Sequence, residues 1–171
     1  MGLRLSPAPS TTAARRHALV ESPIGPLALV EEDGALAALS VEGAREGPVP
    51  DSFGPRDDDV LPHVREQLDA YFAGRLQEFD ADVVLHGTPF QVRVWNALAQ
   101  VPYGTTGTYG QLARTIGAPK AAQAVGAANG RNPVSLLVPC HRIVGANGRL
   151  TGYAGGMARK EYLLRLEGAL L

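Results

Sequence analysis

The chain has 171 residues, 45% hydrophobic and 19% charged, which suits one compact domain or two small ones with a real core. Its net charge is -1, and no apolar run approaches the length of a membrane span. The first sixteen residues are rich in Ser, Thr, Ala, Pro and Arg and lack the apolar stretch of a secretory signal, so residues 1–16 read as a disordered tail.

Beyond the tail, three short apolar runs follow: Ala18-Leu19-Val20, Leu27-Ala28-Leu29-Val30 and Leu36-Ala37-Ala38-Leu39. Pro23-Ile24-Gly25-Pro26 and Asp33-Gly34 separate them, and turn residues at that spacing predict an antiparallel meander. Residues 43–59, rich in Gly, Pro and Asp, read as a loop. Leu61, Val64, Leu68 and Phe72 stand at helical spacing, and Phe79 to Leu85 reads as a further strand. These elements make an N-terminal α/β domain over residues 17–86.

A boundary falls at 86–88, and residues 87–171 form the second domain. Thr88-Pro89 pairs an N-cap with proline at the first helical position, opening a helix through Val92, Trp95, Leu98 and Val101. Thr108 caps a helix through Leu112 and Ile116, Gly117-Ala118-Pro119 turns the chain, and Lys120 to Asn129 forms the next helix. Two short helices about a tight glycine-containing turn have the form of a helix-turn-helix. The second carries mostly small residues, which allow close approach to a partner or to a neighbouring helix. Gly145 to Gly156 reads as a glycine-rich loop, and Met157 to Leu166 as a closing helix with Tyr162, Leu163 and Leu166 on one face.

Charge divides at the same boundary. Residues 1–86 carry seven Arg against fifteen Asp and Glu, a net of -8; residues 87–171 carry nine Arg or Lys against two Glu, a net of +7. A basic C-terminal half fits a polyanion such as nucleic acid; mutual attraction of the two halves is the internal alternative.

Cys140 is the only cysteine, so it can form no internal disulfide and cannot build a thiolate-rich zinc site. It stands in Val138-Pro139-Cys140-His141-Arg142-Ile143-Val144, next to a histidine able to take its proton. That makes it a candidate activated nucleophile, since the thiolate attacks and the thiol does not. A buried cysteine acting as a small hydrophobe is the plainer alternative. A thiol of this kind favours a reducing cytoplasm.

The surrounding residues are more specific. Phe90-Gln91 with Val94-Trp95, Pro102-Tyr103-Gly104, Tyr109-Gly110-Gln111-Leu112-Ala113, Ala124-Val125-Gly126, Asn132-Pro133, Pro139-Cys140-His141-Arg142, Gly152-Tyr153 with Gly155-Gly156, Lys160 and Glu167-Gly168 occur in this order. Together they resemble the O6-alkylguanine-DNA alkyltransferase family across residues 88–168. The N-terminal half resembles it through Ser22-Pro23-Ile24-Gly25-Pro26-Leu27 and Tyr71-Phe72-Ala73-Gly74.

The resemblance implies an α+β fold: a ribonuclease-H-like sheet-and-helix domain, then a mostly helical, winged-helix-like domain with the helix-turn-helix and the active site. It implies irreversible transfer of an alkyl group from guanine O6 in duplex DNA to Cys140, one per molecule. His141 then acts as base through a water, oriented by Glu167; Tyr109 donates toward the base; Asn132 holds the cysteine loop. Ile143 and Ala154 read the base edge through their backbone, Tyr153 walls the pocket, Gly155 leaves room for a planar ligand, and Lys160 contacts the base. Arg142 binds loop carbonyls. The base is flipped from the stack while the second helix of the helix-turn-helix enters the minor groove, with Tyr109, Gln123, Ala127 and Ala128 on the DNA side; Arg131, close in sequence but off the family's matched position, joins them as a candidate. The protein would be a monomer with no cofactor and no metal.

Two features depart from the family pattern. Its intercalating arginine precedes Ala-Val-Gly, where this chain has Gln123. Some members hold zinc through Cys and His in the N-terminal domain, and this chain has no second cysteine. Alternatives of other classes are a non-catalytic binder of alkylated DNA that recruits repair factors, and a cysteine hydrolase.

Overall fold

The computed structural model describes residues 2–10, 13–41, 49–153 and 155–170. They fall into two compact units, Met1–His86 and Gly87–Leu171.

The first unit is built on a five-stranded sheet of order β1-β5-β4-β3-β2, with strands β1 (Leu3–Pro7), β2 (Arg15–Val20), β3 (Leu27–Glu32), β4 (Ala35–Val41) and β5 (Ala81–Leu85). β2, β3 and β4 form the antiparallel meander that the three apolar runs predict. Asp33 and Gly34, both at positive φ, make the tight turn between β3 and β4. β5 pairs in parallel with β4 and β1, and α1 (Pro62–Phe72) supplies the crossover that a parallel pair requires. α1 buries Val64, Leu68 and Tyr71; Tyr71 completes the stripe in place of the expected Phe72 and packs on Phe79.

The described residues among 1–16 do not form the expected tail. Leu3–Pro7 is an edge strand in register with Ala81–Leu85, and Arg4 pairs with Asp80 at 2.7 Å and with Asp82. Composition averaged over the segment hides the Leu3/Leu5 alternation of a strand, and Pro7 is tolerated because it ends an edge strand. The loop expected over residues 43–59 lies partly outside the described residues; its described part holds a 3-10 turn at Asp51–Phe53.

The second unit packs α2 (Pro89–Leu98), α3 (Tyr109–Thr115) and α4 (Ala122–Gly130) against one another, with a two-stranded parallel ribbon of β6 (Gly107–Thr108) and β7 (Ile143–Val144). Both predicted N-caps are capping boxes: Thr88 with Gln91 opens α2, and Thr108 with Gln111 opens α3. Each cap is worth about 1 kcal/mol. Trp95 is buried and donates from Nε1 to Ala128 O at 2.8 Å, tying α2 to α4. Gly117, at φ 76°, stops α3, and α4 begins at Ala122, two residues later than expected.

α5 (Met157–Leu166) packs on the 3-10 turn Cys140–Arg142. The face it buries is not Tyr162, Leu163 and Leu166. Tyr162 is exposed, and the buried positions are Lys160, Leu163, Leu164 and, at the cap, Glu167. Two ionisable groups on the inward stripe defeat an apolar periodicity argument.

Candidate active site

Cys140 opens the 3-10 turn and is buried. The segment before it is stapled by Asn132, whose Oδ1 accepts from Val134 N at 3.0 Å while its Nδ2 donates to Val138 O at 2.7 Å. Within that span Leu136 is held at φ 73°, a conformation costly for leucine that the staple and its burial maintain. Burial pushes the Cys140 thiol above its ordinary value; Asn132, the Lys160 ammonium and the Ser135 hydroxyl act against it by favouring the thiolate.

His141 is fully buried and bonds Glu167 Oε2 through Nε2 at 2.8 Å. Arg142 grips the same carboxylate with two donors, Nε to Oε1 at 2.8 Å and Nη2 to Oε2 at 3.0 Å, and gives Nη1 to Val101 O at 2.7 Å. Burial alone would raise the Glu167 carboxyl; hydrogen bonds from His141 and Arg142 outweigh it and hold the group at about 2. Burial lowers His141 against the opposing pull of Glu167, so the imidazole is neutral. An ionised carboxylate only accepts, so Nε2 carries the proton and Nδ1 holds the lone pair. Nδ1 has no protein partner among the described residues. A neutral imidazole with a free lone pair, backed by a fixed anion, is a general base whose protonated form has a counter-charge ready.

The remaining candidate residues divide by position. Tyr109, the first residue of α3, lies against Gly126 of α4 and bonds Thr151 Oγ1 through its hydroxyl at 2.9 Å. Tyr153 lies near the thiol, and burial followed by the Cys140 charge pushes its phenol up. Its ring leans on Gly155, where an added Cβ would stand 2.6 Å from Cε2. Lys160 is fully buried and donates to Ile143 O and, at 2.9 Å, to Thr151 O, which takes two of the three ammonium donors. The Ile143 N–H bonds Cys140 O, so both backbone groups of Ile143 already have partners. Ala154 lies outside the described residues.

On α4, Gln123, Ala124, Ala127, Gly130 and the C-cap Arg131 are exposed and share one stripe roughly 120° wide. Ala128 does not belong to it. It is buried, so its side chain serves the core, and its carbonyl accepts from Trp95. Ala124 is the exposed small residue in its place. Arg93, Arg114, Lys120, Arg131 and Arg149 are exposed and form no ion pair among the described residues, so the basic surplus of this unit faces solvent.

Two family models match the chain. That of the 6-O-methylguanine DNA methyltransferase DNA binding domain covers residues 89–169, and that of the 6-O-methylguanine DNA methyltransferase ribonuclease-like domain covers residues 16–85. The chain belongs to the 6-O-methylguanine DNA methyltransferase family. A methylated-DNA–protein-cysteine methyltransferase of Methanosarcina acetivorans is 50% identical over 154 residues, spanning 90% of this chain and 98% of its own. Its namesake in Mycobacterium tuberculosis is 50% identical over 148 residues, spanning 86% and 89%. The crystal structure of Mycobacterium tuberculosis OGT in complex with DNA matches at a TM-score of 0.84 and 47% identity, covering 90% of this chain and 93% of that one.

The family's DNA-binding match contains every element of the site: the Asn132 staple, the Cys140 turn, the Tyr109 helix and the Glu167 cap. Sequence reasoning missed Arg142 as the partner of Glu167, although its adjacency to His141 was a usable signal. It also missed Ser135 and Thr151, which no pattern in the chain marks out, and named Ala128 where Ala124 is the exposed residue.

Proposed function

We propose that this protein repairs DNA by direct reversal, moving an alkyl group from O6 of guanine in duplex DNA onto Cys140 in a single turnover. The observation that carries this reading is the buried thiol beside a neutral His141 whose Nε2 is fixed on ionised Glu167, in a chain of the methyltransferase family. The Cys140 proton passes to His141 Nδ1 through one water. The thiolate attacks the alkyl carbon, a C–S bond forms, and the C–O6 pair leaves with guanine. The Tyr109 hydroxyl donates to the departing anion, and the proton first lost from sulfur ends, through solvent, on neutral guanine. Thiol and alkyl carbon balance the step without a cofactor or metal. The thioether has no leaving pathway, so the protein is consumed.

The reacting base reaches a buried sulfur only outside the stack. The small exposed stripe of α4 fits the minor groove as the reading helix of a helix-turn-helix, at an unstacking cost of a few kcal/mol that a damaged pair reduces. Gln123 stands at the first turn of α4, where the family carries its intercalating arginine. Arg131 is eight residues on, about 12 Å along the axis, and so belongs to the other end of the groove contact. The protein acts as a monomer in the cytoplasm, where the thiol stays reduced. Intact mass after incubation with O6-methylguanine duplex should show one added methyl, mapped to Cys140, and Cys140→Ser should bind DNA without gaining mass. Turnover beyond one equivalent would overturn the reading; so would transfer by Cys140→Ser.

A further inference from the structure

Thr151 holds two sides of the site at once. Its hydroxyl meets the Tyr109 hydroxyl at 2.9 Å, and its carbonyl accepts from Lys160 Nζ at 2.9 Å. The same ammonium reaches Ile143 O in β7, so the backbone of Thr151 is tied to the strand that follows the cysteine turn. Its methyl group packs on Gly145, where an added Cβ would stand 3.3 Å from Thr151 Cγ2. Tyr109 is fixed on its own side, its ring 3.6 Å from a Cβ built on Gly126. The meeting of the two hydroxyls is therefore set by backbone on both sides.

Each hydroxyl has one proton and can accept as well as donate. If Tyr109 donated to Thr151, its single proton would be spent within the protein. We propose that Thr151 is a positioning residue for alkyl transfer: it donates to Tyr109 Oη, so that the phenol proton points at the leaving guanine. The inference rests on the reading of Tyr109 as the donor to the base. Donation into Oη also polarises the phenol and makes it a better donor, since chained hydrogen bonds strengthen one another. No proton leaves Thr151, and the balance of the transfer step is unchanged.

The test is the single-turnover transfer rate at saturating duplex O6-methylguanine DNA for Thr151→Val, Thr151→Ser, Tyr109→Phe and the Thr151→Val/Tyr109→Phe double variant. Thr151→Val should slow transfer about 5- to 10-fold, the effect of one hydrogen bond, with DNA affinity unchanged. Thr151→Ser, which keeps the hydroxyl, should restore the rate. In the Tyr109→Phe background, Thr151→Val should have no further effect. A valine effect that persists in that background, or a serine variant as slow as valine, would overturn the proposal and assign Thr151 to holding the loop. A wild-type rate for Tyr109→Phe would instead remove the donor reading on which the proposal stands.

Discussion

Replacing Glu167 with glutamine isolates the electrostatics of the site. The carboxylate accepts from His141 at 2.8 Å and from Arg142 at 2.8 and 3.0 Å, all in buried surroundings. Glutamine leaves one amide oxygen to accept but no charge, so the Arg142 guanidinium, 7% exposed, is left buried without its counter-charge beside Val101 O and the Tyr103 ring at 5.7 Å. Breaking a buried pair by removing one partner costs about 3–5 kcal/mol. The depression of Glu167 from 4.5 to about 2 independently corresponds to roughly 3 kcal/mol of stabilisation at neutral pH. Glu167→Gln should therefore lose about 3–4 kcal/mol, a large share of a typical domain's stability. Trp95 is the only tryptophan and is buried in the second unit, so its fluorescence in urea reports on that unit alone. The double variant Arg142→Met/Glu167→Gln removes the orphaned charge and should recover part of the loss. Measured where it is folded, Glu167→Gln should also slow alkyl transfer about 100-fold or more, because protonated His141 has lost its anion. A stability loss under about 1 kcal/mol would refute the reasoning, as would a double variant less stable than the single one.

Acid should destabilise the second unit in two stages. His141 and Glu167 both have depressed folded values, so their stabilisation is complete above the unfolded values and is lost as pH falls. The first loss begins below 6.5, where unfolded histidine takes a proton that buried His141 refuses, and the second runs from 4.5 toward about 2; His141→Gln should abolish the first stage in a Trp95 fluorescence titration. Stability that is flat between pH 7 and 5 would contradict the assignment. Gln123→Arg should speed repair of O6-methylguanine in duplex DNA and leave the rate with free O6-benzylguanine unchanged, since a free base needs no extrusion; equal effects on both would clear Gln123 of any role in extrusion. Gly155→Ala would put a Cβ 2.6 Å from the Tyr153 ring and should slow transfer from duplex and free base alike; an unchanged rate would show that the ring yields without closing the pocket.

Local chemistry made much of this protein legible from its residues. Thr88-Pro89 and Thr108 mark helix starts because capping needs only a hydroxyl and the next three residues. The boundary at 86–88 and the charge division are matters of composition, and adjacency marks Cys140-His141 as a candidate only, to which the wider run of motifs gives its meaning. Tertiary structure decided what depends on partners distant in sequence. Leu3–Pro7 is a strand only because Ala81–Leu85 lies beside it, a pairing that no property of a sixteen-residue segment reveals. Ala128 faces the core and Ala124 the solvent because of how α4 is rotated against α2 and α3, which pack on it. Lys160 and Glu167 look like surface charges of a terminal helix. They are buried because one ammonium can bind the carbonyls of Ile143 and Thr151 and one carboxylate can hold both His141 and Arg142. A buried charge is stable only with such partners, and sequence position alone does not say who they are.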